Sequence, residues 1–150
     1  MTLSKLLNQN LIINLKKRKK KEVLQDLIHL IKMECSLGEI TELKRSILHR
    51  EKLMSTGVGL GIAVPHARIK GLNNIVIAIG ISREGIEDYE SIDGKPVKVV
   101  FMILVDEKQH REYIKVLSQI VKLVKKEDIV SKMIVSEEPD RVIQIISEGE

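Results

Sequence analysis

Apolar and polar positions divide the chain into a helical start, a strand-rich middle and a helical end. Leu11-Ile12-Ile13-Asn14-Leu15 reads as a short strand. From Glu22 to Glu34 the apolar residues Val23, Leu24, Leu27, Ile28, Leu30 and Ile31 recur at helical spacing. Gly38 is expected to end that helix, because glycine takes the left-handed conformation readily. Ile40, Leu43, Ile47 and Leu48 mark a second helix near Glu39 to Met54. A glycine-rich loop, Ser55 to Gly61, then leads into a short strand, Ile62-Ala63-Val64, cut off by Pro65. Asn74 to Ser82 and Pro96 to Asp106 read as strands without clean alternation, so both of their faces are expected to be covered. Between them Ile92-Asp93-Gly94-Lys95-Pro96 is a turn. Helical spacing returns over Glu107 to Lys125, with shorter helices over Asp128 to Ile134 and Pro139 to Ile146. Helices, then strands, then helices imply an α/β fold with a sheet flanked by helices on two sides.

Composition keeps the picture simple. The 150 residues are 43% hydrophobic and 31% charged, which suits one globular domain over 1–150. With two Tyr, one Phe and no Trp, the aliphatics must carry the core. The apolar runs are too short for membrane insertion, and the N-terminus lacks the features of a signal peptide, so a cytoplasmic location is expected. A lone cysteine, Cys35, cannot form an internal disulfide and reads as an inert residue at a helix end. The net charge is +4, and six consecutive basic residues run from Lys16 to Lys21. That block could touch nucleic acid or acidic lipid, or it could be a solvated helix start. The aromatics that single-strand binding uses are missing around it, which favours the helix start and no nucleic-acid partner.

Four histidines are the candidates for chemistry. His29 sits among apolar helix residues and reads as a core or boundary residue. His49 falls at the end of the second helix, where it suits the negative end of the helix dipole. His66 follows Pro65 at the end of a short strand, just past three loop glycines whose N–H groups could face an anion. A phosphoryl acceptor needs a neutral imidazole nitrogen together with backbone donors and a cation. Taken alone, a histidine after a strand is commonly structural. The glycine loop does not fit nucleotide binding: no Lys-Ser/Thr follows it, and its third glycine comes too early for a dinucleotide fingerprint. No pair of histidines has zinc-ligand spacing, so no metal is expected.

The stretch from Arg50 to Ala67 resembles the active-site signature of the fructose/mannitol/nitrogen class of phosphotransferase system IIA domains. Glu51, the Val58-Gly59 pair and Ile62-Ala63-Val64-Pro65-His66-Ala67 meet its constrained positions. Ile92-Asp93-Gly94-Lys95-Pro96-Val97 resembles a second landmark and the helix from Tyr113 a third. The resemblance implies a mannitol-type IIA fold, a single domain with a mixed sheet between helices, and no cofactor. It implies that His66 is the phosphorylated histidine, that Arg50 steadies the phosphoryl group and that Thr56 can donate a hydrogen bond beside it. The family commonly has a second active-site histidine before a Leu/Ile-x-x-Leu run. Here that position is Tyr113, and His110 lies one helical turn earlier. Either could take the role. The implied activity is phosphoryl transfer from phospho-HPr to His66 and on to a IIB partner for sugar uptake. The alternative is a nitrogen-type regulatory switch using the same histidine; a basic nucleic-acid module is a third, weaker reading. The partner surface is expected to be an apolar patch around His66, with Met54, Ile62, Val64 and Ile69 as candidates that could equally be core.

Overall fold

The two long apolar runs pair with each other and set the sheet. The computed structural model describes residues 2–37 and 41–150. Strands β5 (Val76–Ile86) and β6 (Val97–Val105) are antiparallel, with Ile77 opposite Ile103 and Ile79 opposite Phe101. The short strand β1 (Ile12–Asn14) joins the free edge of β5 in parallel. On the other side of β6 run β3 (Ile62–Ala63) and β4 (His66–Arg68), both parallel to it, and β2 (Gly57–Gly59) pairs with β3. The sheet is therefore mixed and β6 is central.

Both faces of the sheet are covered, as the lack of alternation in the long strands implied. Helices α1 (Lys20–Cys35) and α2 (Thr41–Leu53) pack Leu27, Ile31, Leu43 and Ile47 on one face, against Ala63, Ala67, Val100 and Met102. Helices α3 (His110–Val124), α4 (Ile129–Val135) and α5 (Pro139–Gly149) cover the other face. There Val116, Ile120, Met133 and Ile146 meet Ile79, Phe101 and Ile103. Burying one such aliphatic side chain is worth about 1.5–3 kcal/mol, so the two layers dominate folding.

Several local expectations change. Gly38, expected to stop α1, lies outside the described residues with Glu39 and Ile40. The left-handed turn after α1 is already taken by Ser36, at φ 51°. His29 is exposed rather than in the core or at its boundary. At about 100° per residue it falls outside the arc of Val23, Leu24, Leu27, Ile28 and Ile31, which faces the sheet. His49 is exposed and sits inside α2, four residues before its end at Leu53. No helix among the described residues is long and apolar enough to cross a membrane.

The basic block is mostly paired with acids. Lys17 meets Glu22 at 3.4 Å, Arg18 meets Glu84 at 3.3 Å and Lys19 meets Glu87 at 2.7 Å. Lys20 reaches inward to Glu51. Asp88 accepts the Lys20 backbone N–H at 2.6 Å, satisfying one orphan donor at the start of α1. The run is thus a helix start braced by carboxylates.

Candidate functional site

Pro65 creates the site by breaking a strand without shifting it. Ile62 and Ala63 pair with Val99 and Val100, and the ladder resumes in the same register at His66 opposite Ile103. Pro65 has no N–H to contribute, although its carbonyl accepts from Ile103 N–H at 2.9 Å. Alternation then decides which side chains share a face. Ala63 and Ala67 point to α1 and α2, whereas Ile62 and Val64 point to the α3 side. His66 follows Val64 in that alternation and meets Tyr113 on the first turn of α3.

Geometry fixes the state of the His66 ring. Its Nδ1 lies 3.2 Å from the Val64 carbonyl oxygen, which can only accept. The proton is therefore on Nδ1, and Nε2 carries the lone pair. Tyr113 Oη is 3.1 Å from the same nitrogen and shares that N–H as a second acceptor. The two rings are 4.6 Å apart between centroids and tilted by 33°. Burial lowers the His66 pKa below its ordinary value, and the nearby Arg50 and Arg68 charges push it the same way. The Val64 carbonyl and Glu51 oppose them. The lowering favours the neutral form of the ring. Burial also raises the Tyr113 pKa, with Arg50 opposing, so the phenol keeps its proton.

Cations gather around this imidazole from separate elements. Arg50, in the last turn of α2, donates from Nη1 to the Met54 carbonyl at 3.2 Å. Its charge is felt at both His66 and Tyr113. Arg68, two residues after His66 in β4, donates from Nη2 to His110 Nδ1 at 3.3 Å. His110 is exposed at the start of α3, with its ring centroid 6.4 Å from that of Tyr113. Tyr113 and His110 thus hold separate places: the first touches His66 and the second touches Arg68.

Two expectations about the loop need correction. The amides of Gly57, Gly59 and Leu60 are already engaged within the protein and offer no bed for an anion. Gly57 N–H donates to Ser55 Oγ at 3.3 Å, Gly59 N–H to Ser91 Oγ at 3.0 Å and Leu60 N–H to Asp93 Oδ2 at 3.0 Å. Gly57 is needed because a Cβ there would lie 2.1 Å from the Glu90 carbonyl oxygen. Nor does Thr56 face His66. Its side chain is buried, and its hydroxyl is engaged by Glu51 Oε1 and by Tyr89 Oη, the latter at 2.7 Å.

The apolar patch is also smaller and differently built. Ile62 and Val64 are core residues, and Ile69 is half-buried. Met54 is exposed, and so are Leu53 beside it and Ile114 beside Tyr113. Reading the residues singly missed Arg68, although the period of two from His66 would have placed it on the same face. It also missed the partners of Glu51. Among the described residues no three His, Cys, Asp or Glu side chains converge as a metal site. Cys35 is half-buried at the end of α1, and burial raises its thiol pKa.

A mixed sheet sandwiched by helices, with a histidine-centred cationic site at a break beside its central strand, defines the mannitol-type IIA fold. The chain belongs to the family described as phosphoenolpyruvate-dependent sugar phosphotransferase system, EIIA 2, which it matches over residues 5–149. Members of that family are phosphotransfer proteins. The chain is 34% identical over 149 residues to the fructose-specific EIIABC component of Bacillus subtilis, covering 99% of itself and 23% of that protein. It is 29% identical over 135 residues to the nitrogen regulatory protein of Pseudomonas aeruginosa, covering 90% of itself and 87% of that protein. The structure of nitrogen regulatory protein IIA-Ntr from Neisseria meningitidis superposes with a TM-score of 0.85 at 28% identity, covering 96% of this chain and 98% of that one.

Proposed function

We propose that this chain is a phosphocarrier in which His66 Nε2 takes a phosphoryl group from phospho-HPr and passes it to a IIB component of a sugar permease. The observation that carries the reading is the Nδ1 contact with the Val64 carbonyl. It leaves Nε2 as the ring nitrogen without a partner among the described residues. As the donor's P–N bond lengthens, the Nε2 lone pair takes up phosphorus, and the ring gains positive charge. The Val64 carbonyl, accepting from Nδ1–H, offsets that charge. Arg50 and Arg68 offset the charge on the phosphoryl oxygens, which is where electrostatic stabilisation of phosphoryl transfer acts. Nothing in these steps needs a proton to leave the ring, so the same geometry serves the return step.

The Tyr113 hydroxyl, accepting from His66 and keeping its own proton, has that O–H to donate to a phosphoryl oxygen. His110 holds Arg68 in place. Leu53, Met54 and Ile114 supply the apolar rim on which HPr and IIB alternate. The test is incorporation of labelled phosphate from phospho-HPr by His66→Ala. Uptake should disappear while the fold persists by circular dichroism; full labelling of that variant rejects the acceptor.

A second reading is a regulatory switch of the nitrogen type, and the likeness to IIA-Ntr over nearly the whole chain favours it. There the phosphoryl group, adding about −1.5 to −2 charges, changes which protein the His66 face binds. Incubation of the phosphorylated chain with fructose-type IIB domains separates the two. Transfer onto a IIB supports the transport reading, and retention on His66 supports the switch.

A further inference from the structure

The buried carboxylate next to Arg50 is the most heavily bonded side chain near the site, yet it does not touch His66. Glu51 Oε2 is 2.7 Å from Lys20 Nζ and 3.2 Å from Thr56 N–H. Its Oε1 accepts from the Thr56 hydroxyl and from Tyr89 Oη, the latter at 3.0 Å. The Lys20 ammonium also lies over the Tyr89 ring, 4.3 Å from its centroid. The Glu51 side chain is 5% exposed and that of Lys20 17%. Burial and the Glu51 charge hold the Tyr89 hydroxyl well above the ordinary phenol range, so it remains a donor.

This cluster ends on the backbone that holds His66. Thr56 is fixed at its N–H and its hydroxyl by Glu51, and its carbonyl accepts from Val64 N–H at 3.0 Å. Past Val64, Pro65 has a fixed φ, and its carbonyl is held by Ile103 N–H. A residue before proline is also confined to extended backbone. The Val64 carbonyl is thus clamped on both sides, and it is the group that binds the Nδ1 proton of His66.

We propose that Glu51, braced by Lys20 and Tyr89, is a positioning residue that sets the tautomer of His66 through Thr56 and the Val64 carbonyl. Lys20 is drawn from the basic block, so one member of that run serves the active site from behind. A free imidazole favours its proton on Nε2. If the Val64 carbonyl is allowed to swing, the proton moves to the nitrogen that must attack. The structural claim stands without phosphoryl transfer; its consequence for rate rests on His66 being the acceptor.

Imidazole nitrogen NMR of the unphosphorylated chain reads the tautomer directly. In the parent chain His66 should show a protonated Nδ1 and an unprotonated Nε2. In Glu51→Gln the two nitrogen signals should move towards each other, as the tautomers mix. Tyr89→Phe, which keeps the ring under Lys20 and removes one bond to Glu51, should show a smaller shift in the same direction. The kcat for phosphate uptake should fall with the reactive tautomer, about three- to tenfold in Glu51→Gln, with the KM for phospho-HPr unchanged. Unchanged His66 nitrogen signals in folded Glu51→Gln overturn the proposal, even if uptake slows. If Glu51→Gln does not fold, Tyr89→Phe decides, and unshifted signals there overturn it. Should the signals shift while the parent chain takes up no phosphate, the positioning network is supported and the phosphocarrier reading fails.

Discussion

Arg50 and Glu51 are neighbours in the sequence and occupy opposite environments. Glu51 turns inward to a cluster in which each oxygen of its carboxylate has two polar partners. Arg50, whose charge is felt at His66, donates to the Met54 carbonyl. Behind the break in the strand, the polar groups are consumed by one another. In front of it, His66, Arg68, His110 and Tyr113 hold each other by longer contacts and leave Nε2 of His66 without a partner among the described residues. The lesson is a division of labour: satisfied polar groups fix backbone, and under-satisfied ones are kept for a ligand. The latter group, with Arg50, contains no carboxylate, so an anion placed among these side chains would meet donors.

Variants can break either side of this comparison, and removal of the His66 imidazole, with its complete loss of uptake, has the largest effect. Next is Glu51→Leu, which leaves Lys20 and two hydroxyls buried without their acceptor. Chemical denaturation should show about 3 kcal/mol of lost stability, as for other broken buried pairs. A loss below about 1 kcal/mol, the range of exposed ion pairs, would show that the cluster is loosely held. On the other side, Arg50→Ala should slow phosphate uptake about tenfold or more with little change in stability. It should also raise the His66 pKa, because a repelling cation is gone, and Arg68→Ala should raise it too. An unmoved titration in both would remove the cations from the site.

The pH profile is a gentler test of the same face. On the proposed function the neutral ring is the reactive form, and burial lowers its pKa from the ordinary 6.5. Uptake should therefore stay level as pH falls through 6.5, the ordinary value, and decline only at lower pH. A decline centred at or above 6.5 would show that burial and the arginines do not act on His66 as described. The smallest effect is expected from Tyr113→Phe, about two- to threefold in rate, since one neutral hydrogen bond is lost and the ring stays in place. His110→Ala should differ from it by acting through Arg68, and equal rates would mean that the two positions are interchangeable.

The sequence carried the fold where burial has a simple period. Val23, Leu24, Leu27, Ile28 and Ile31 give α1 its apolar arc, and the apolar stretches within β5 and β6 pointed to a sheet covered on both faces. It did not carry β4. Three residues after a proline have no pattern of their own, and they form a strand because β6 offers them a ladder in register. His66 was legible as a candidate from Pro65, and the family resemblance made it the expected acceptor. The meaning of the glycines was not legible, because Ser91 and Asp93, which take up their neighbouring amides, lie more than thirty residues away. The same holds for Glu51, whose partners Lys20 and Tyr89 come from distant turns of the chain. Polar contacts of this kind depend on three-dimensional meeting, which a run of residue types does not encode.

One consequence follows from the unshifted register on either side of Pro65. His66 is mounted on the ladder of the middle strand, so on the proposed function the acceptor cannot swing out to meet a donor as a residue on a flexible arm would. On that proposal, delivery would be done by whole molecules docking and leaving, once to load and once to unload. The pace of the relay is then governed by encounters between proteins, and it should rise with partner concentration until separation of the docked pair becomes the slow event.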